Sequence, residues 1–357
     1  MGIMAAVAAL FIAGCSGDNE SSNKPFARQV IEDTAEAIGK QMVDAAFAEK
    51  DDTLSVPAQE IVLEEVPEVD FNEVNDIVVF DSFLYAAYDE GLVIYDFTEK
   101  KSTLIDNGER FNALAFYDGK LYAGGERLYT VSGRDLIPAD IEFEGEVTAL
   151  YSDSFRLLIG TGNGLISKSP FGKEQLMDAV VVNDLQFDHD GLWIATEGSG
   201  LYRWDGDRFQ RRYLLRDTTI FDNVYDLDFN RDHLYVAAKS GFFVFDGGKW
   251  EQWTEAEGLP STEVHAINAD DWMVKVGTEK GMIAYFDKNL YPVKKLDTVE
   301  ANVIRLLDEK LVVGTRQGEV LMKSGDFVTA LIEQTEPTEE GPEVFSLAEE
   351  ETPETEE

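Results

Sequence analysis

Apolar residues along this chain fall in short alternating bursts, and from residue 74 to 332 one unit keeps returning: an apolar strand, a turn with glycine, then a second apolar strand. It reads FLYAAYDEGLVIYD (83–96), RLLIGTGNGLISKS (156–169), GLWIATEGSGLYRWDG (191–206), HLYVAAKSGFFVFDG (233–247), WMVKVGTEKGMIAYFD (272–287) and KLVVGTRQGEVLMKSG (310–325). A degraded seventh copy, KLYAGGERLYTVSG (120–133), lacks the turn glycine. The others place Gly91, Gly164, Gly200, Gly241, Gly281 and Gly318 there, where a tight hairpin demands a positive φ.

Each hairpin is preceded by another strand: VNDIVVFD, FNALAFYD, VTALYSD, VNDLQFD, VYDLDFN, VHAINAD and NVIRLLD, beginning at 74, 111, 147, 182, 224, 264 and 302. Most are followed by a more polar fourth segment such as RFQRRYLL (208–215) or KWEQWTE (249–255). Four strands recurring about every 40 residues predict an all-β, seven-bladed β-propeller of four-stranded antiparallel blades over residues 58–333. One blade cannot cover both of its own faces; a closed ring covers them all. EIVLEEV (60–66) is expected to complete the last blade as its outer strand, with DFVTALIE (326–333) competing for that place.

The flanks follow other rules. NKPFARQVIEDTAEAIGKQMVDAAFAEKDD places Ile31, Ala35, Ile38, Met42, Ala45 and Ala46 at helical spacing, which predicts an amphipathic helix over 25–50. Residues 334–357 hold ten Glu and three Pro with no basic residue, so a disordered acidic tail is expected, with VFSLA a short docking motif or simply part of a solvating tail.

Composition narrows the function classes. The chain carries 70 Asp and Glu against 30 Lys and Arg, a formal charge of −40, which repels phosphates and excludes sequence-independent nucleic acid binding. Salt adaptation and a basic partner both remain open. One cysteine excludes an internal disulfide framework, and three histidines speak against a His-rich metal centre. That cysteine follows an apolar run from Ile3 to Ala13, in the order Ile12-Ala13-Gly14-Cys15. The stretch resembles the bacterial lipoprotein signal, in which two small residues precede the lipidated cysteine. It departs from the pattern in having no basic residue ahead of Cys15. The resemblance implies a signal peptide over 1–14, lipidation of Cys15, a solvated linker over 15–24 and an anchored protein of the bacterial envelope, with Ser16 favouring the outer membrane. Which face of the membrane it occupies stays open.

Two repeats carry a second resemblance. GLPSTEVHAINADDWMVKVGTEKGMIAYFD (258–287) and VNDLQFDHDGLWIATEGSGLYRWDGDRFQRRY (182–213) are similar to the propeller repeats in the sensor region of hybrid two-component regulators. There a GLP-S segment, a strand, an acidic turn, L-W-h-G-T and G-L-Y follow in order. These 357 residues show no kinase, receiver or transmembrane pattern. The resemblance therefore implies a fold and a style of sensing or docking, not phosphotransfer.

Candidate chemistry centres on the channel mouth, where inner strands begin. The second and third positions there give Asn75, Asp76, Asn112, Asn183, Asp184, Tyr225, Asp226, His265 and Arg305, with Ile304 read as the second position of the last blade. Such a ring can hold a sugar, peptide or cation, or it can satisfy turn backbones and enclose water. The turns DHDG (188–191) and NRDH (230–233) offer too few oxygens for calcium and read as turn residues. Arg208, Arg211, Arg212 and Arg216 form the densest basic patch. No catalytic residue, metal or cofactor is expected, and no Ser/His/Asp set or phosphate loop stands out. The expected function is a non-catalytic scaffold for envelope proteins. The alternatives are a sensor propeller for a small carbohydrate or peptide, and a propeller enzyme of lactonase or polysaccharide lyase type.

Overall fold

The computed structural model describes residues 63–65, 72–188, 191–212, 223–230, 233–271, 273–293, 295–307, 310–324 and 343–346. The signal segment, Cys15, the 25–50 helix, Arg216 and His189 lie outside the described residues. Within them the chain forms seven antiparallel sheets, each a blade of a seven-bladed β-propeller. The inner strands are Val74–Phe80, Phe111–Tyr117, Val147–Ser152, Val181–Asp188, Val224–Asn230, Val264–Ala269 and Ala301–Leu307. Blades 1–6 then run outward in chain order, and the seventh does so for its first three strands.

Ring closure follows the sequence expectation. Leu63–Glu65 pairs antiparallel with Val320–Ser324 and supplies the outer strand of the seventh blade. The start of the described chain thus completes the blade made by its end, so the first and last blades separate only if this pairing breaks.

The tail differs from expectation at four residues. Glu343–Ser346 pairs with Lys249–Trp253 as a fifth strand on blade 5. Acidic composition set the expectation of disorder, but Val344-Phe345 is a β-favouring apolar pair, and an open sheet edge offers its backbone partners.

Blades pack through alternating apolar faces. Trp193, Leu234, Val236, Phe243 and Trp250 form the cluster between blades 4 and 5, and similar clusters join the other neighbours. The G-T element of the repeat has a packing cause. A Cβ on Gly314 would lie 2.6 Å from Val74 Cγ1 of the next blade, and one on Gly160 would lie 2.7 Å from Val182 Cγ1. The inner strand of each following blade sits that close. The next residue ties down the hairpin turn: the hydroxyls of Thr161, Thr196 and Thr278 donate to the carbonyls of Gly164, Gly200 and Gly281. Five of the six expected turn glycines take positive φ, while Gly91 reaches its turn without one. At Gly281, with φ 139°, a Cβ would also sit 1.9 Å from the Asp297 carbonyl oxygen, so glycine is required twice over.

Candidate functional site: the channel mouth and the opposite face

All nine candidate residues line one polar cavity of about 120 Å³ at the channel mouth, together with Thr148 and Asn302. A shared backbone feature brings them there. Every inner strand has a bulge at its start, at 74/76, 111/113, 147/149, 182/184, 224/226, 264/266 and 301/303, with one residue left between each pair. A bulge leaves its second residue outside the ladder and re-aims the side chain.

That side chain clasps the next blade. Asn75 Nδ2 donates to the Phe111 carbonyl at 2.9 Å, Asn112 to Val147 at 2.8 Å and Asn183 to Val224 at 2.8 Å. Thr148 Oγ1 donates to the Val182 carbonyl at 2.5 Å, and Asn302 Nδ2 closes the circle on Val74 at 2.9 Å. Tyr225 departs from this pattern, and its hydroxyl donates to Glu263 Oε1 at 2.9 Å. His265 departs too: it is 7% exposed, and its buried Nε2 has no hydrogen-bond partner. Burial, then the charge of Arg316, lowers its pKa, so the imidazole is neutral at pH 7.

One sequence reading needs correction. The last inner strand begins at Ala301, so its second residue is Asn302 and its third Val303. Ile304 is fully buried in the blade core, and Arg305 stands fifth in the strand. Comparing A-N-V-I with V-N-D-L in place of V-I-R with V-N-D restores the register. Arg305 still reaches the channel because its side chain is long, and it stays 40% exposed to the lumen.

A second tier binds blades through carboxylates. Inner strands face the channel with unpaired N–H groups, and acids on the preceding blade accept from them. Asp76 Oδ2 accepts from Leu114 N at 2.8 Å, Asp184 Oδ2 from Leu227 N at 2.9 Å and Asp226 Oδ2 from Ile267 N at 2.8 Å. Asp228, missed at sequence level, accepts from Ala269 N at 2.7 Å and from Phe229 N at 2.7 Å. The apolar-charged alternation in VYDLDFN marks Asp228 as facing the same way as Asp226.

These acids are expensive to ionise. Burial raises Asp184 and Asp228 each to about 6. Burial, reinforced by the charge of Asp184, pushes Asp226 well above its ordinary value, and a side-chain hydrogen bond joins it to Asp184. Arg305 Nη2 meets Asp76 Oδ1 at 2.9 Å. Burial nevertheless outweighs that cation and leaves Asp76 raised. The mouth is thus built chiefly as blade-to-blade hydrogen bonding around one arginine.

Other candidates have structural uses. Asp188 accepts from Trp193 Nε1 at 2.9 Å, and Asn230 Nδ2 donates to the Asp270 carbonyl. Arg211 lies over the Tyr202 ring, and Arg212 donates to Gln210 at 2.6 Å. Among the described residues no group of three or more His, Cys, Asp or Glu is placed to hold a metal ion, and no helix is long and apolar enough to cross a membrane.

The opposite face differs in character. There the turns of blades 1 and 3 present Phe80 (54% exposed), Phe155 (54%) and Phe171 (87%), with Ile137 at 51% on the outer strand of blade 2 between them. Phe80 stacks on Phe116 at 4.2 Å, Tyr117 donates to the Phe155 carbonyl, and Phe155 meets Phe171 at 5.7 Å. A groove of about 780 Å³ opens between blades 1 and 2, lined by Phe80, Tyr85, Phe116, Ile137, Lys120 and Arg134 among others. Sequence reading missed this face; the signal available was aromatic residues at turn positions, in VFDS, DSFRL and SPFGK.

No family model matches the chain, and no curated protein matches it. Solved structures do. The extracellular domain of the putative hybrid two component system BT4673 from B. thetaiotaomicron is 15% identical, with a TM-score of 0.61 over 72% of this chain and 39% of that one. This chain therefore spans about two fifths of that neighbour's length. The WD40 β-propeller domain of Doa1 is 15% identical, with a TM-score of 0.59 over 74% of this chain and 97% of its own. YCF48 bound to D1 peptide is 14% identical, with a TM-score of 0.58 over 76% and 100%. At such identities the likeness establishes the propeller fold.

Proposed function

We propose that this protein is a lipid-anchored, non-catalytic scaffold of the bacterial envelope, whose propeller docks other envelope proteins through the aromatic face of blades 1–3. The observation that carries the reading is that face. A chain of charge −40 keeps three phenylalanines open to solvent on turns of blades 1 and 3, beside a groove with two cations, Lys120 and Arg134. Apolar patches of this kind mark interaction surfaces, and burying each phenylalanine contributes about 1.5–3 kcal/mol. The anchor rests on the Ile12-Ala13-Gly14-Cys15 sequence. The non-catalytic reading is supported by the commitment of the channel carboxylates to backbone amides. A neighbour described as bound to a peptide, and one described as an extracellular domain, are in keeping with it.

The test is a Phe80→Asp/Phe171→Asp double variant of the full lipoprotein. It is expected to keep the wild-type melting temperature and lose co-purifying envelope proteins from solubilised membranes. Retention of those proteins would refute the assignment of the face.

A sensor reading has one observation in its favour, the unpartnered Nε2 of His265 beside the channel cavity. It expects a small carbohydrate or peptide to raise the melting temperature of the wild type and not of His265→Phe. No shift across such a ligand panel would count against it.

A further inference from the structure

The fifth strand on blade 5 points to an interaction site independent of the aromatic face. Glu343–Ser346 runs antiparallel to the outer strand, with Ser346 opposite Lys249, Phe345 opposite Trp250, Val344 opposite Glu251 and Glu343 opposite Gln252. Among the described residues no other blade has a fifth strand. Residues 325–342 connect this segment to Ser324 at the end of blade 7, a span of roughly 60 Å at full extension.

The sequence of the edge suits blade 5 to receive a strand, as that of blade 1, KSTLID, also would. Open edges are usually guarded by proline or charge. The outer strands of blades 2 and 6 end in Pro138 and Pro292, and those of blades 3 and 4 carry Lys173-Glu174 and Arg211-Arg212. The blade 5 strand is KWEQW. It has no proline, and the charge of Glu251 is offset by an ion pair with Lys288. Asp246 N donates to the Lys249 carbonyl across the preceding turn. By the alternation of an antiparallel ladder, the amides of Trp250 and Gln252 then face outward. Trp250 and Trp253 are buried beneath, which gives the edge a rigid base.

We propose that the outer edge of blade 5 is a strand-docking site, and that residues 343–346 are its resident, displaceable ligand. The site takes an extended segment with an acidic residue, two apolar residues and a hydroxyl residue in order, the main chain supplying affinity by strand addition. Tethering holds the resident segment at an effective concentration in the millimolar range, so a partner strand enters only when it binds more tightly or when the tail is drawn away.

The test compares the full chain with its Phe345→Pro variant, which removes the N–H that faces Trp250 from the docking strand and leaves the propeller untouched. Amide hydrogen exchange is read at Trp250 and Gln252. The expected result is exchange at least tenfold faster at these two amides in the variant, with blades 1–4 unchanged. A synthetic peptide of residues 340–349 is then expected to restore protection in the variant at high micromolar concentration. It should leave the wild type unchanged, and a peptide carrying Phe345→Pro should do nothing. Unchanged exchange in the variant, failure of the peptide to protect it, protection on another blade, or equal binding to both chains would each overturn the proposal.

Discussion

Asp228 gives the sharpest thermodynamic consequence of the buried channel acids. Its carboxylate joins blade 5 to blade 6 through Ala269 N and reaches back toward blade 4, where Gln186 Nε2 lies 3.3 Å from Oδ1. Burial, the largest influence, raises it from 3.8 to about 6. A raised folded-state pKa on an acid means that the folded chain holds the proton more tightly than the unfolded one. The contribution is therefore fully present below about pH 4 and is lost as pH rises through about 6. At about 1.36 kcal/mol per pH unit the whole window is worth about 3 kcal/mol, of which about 2 kcal/mol falls between pH 4.5 and 8. The wild type also gains stability at low pH because its −40 charge is partly neutralised, so its own curve does not isolate Asp228. Asp228→Asn does. Asparagine has one acceptor oxygen for the two N–H groups that Asp228 serves, which costs about 1–2 kcal/mol at every pH. Urea unfolding at pH 4.5 and pH 8 is the assay. The variant is expected to be the less stable chain at pH 4.5 and to recover about 2 kcal/mol relative to wild type by pH 8. A difference between the two chains that stays constant with pH would refute the reasoning.

Further expectations concern the ring. Asn302→Ala removes the clasp from blade 7 to the Val74 carbonyl and should cost about 1–2 kcal/mol in urea unfolding at pH 7; no loss would mean that water replaces the clasp. His265→Asn places the ring's usual residue beside blade 7 and should stabilise by about 0.5–1.5 kcal/mol. Because burial lowers the pKa of His265, the wild type loses stability as pH falls below its unfolded value of 6.5, so the gain should widen from pH 7 to pH 5. A gain that shrinks on acidification would be the wrong sign. Gly314→Val drives a side chain into Val74 and should destabilise by about 1–3 kcal/mol or more, with thermal melting as the readout; a wild-type melting curve would show that the blades separate easily.

The repeat was legible because each blade uses the same local chemistry: alternation, a turn glycine, and a small residue plus threonine where blades meet. The strand joining the two ends was legible too, since Leu63–Glu65 stands before the first blade as an outer strand stands before an inner one. The inward direction of Asn75, Asn112 and Asn183 followed from their shared place in the repeat. Their use did not, because a donor clasping a carbonyl 35–41 residues away and a donor awaiting a ligand look alike in sequence. Asn302 was missed through a shift of two residues in a strand whose third position is apolar Val303. The aromatic face and the strand on blade 5 arise from residues of separate blades meeting in space. No local pattern encodes that.

The scaffold claim is tested most directly in living cells by a photo-crosslinking residue at position 171, with position 280 on the opposite face as comparison. The account predicts that one or two envelope proteins are captured in near-stoichiometric amounts at 171, sparsely at 280, and lost from both when Cys15→Ala removes the anchor. No capture at 171, or equal capture at the two positions, would contradict it.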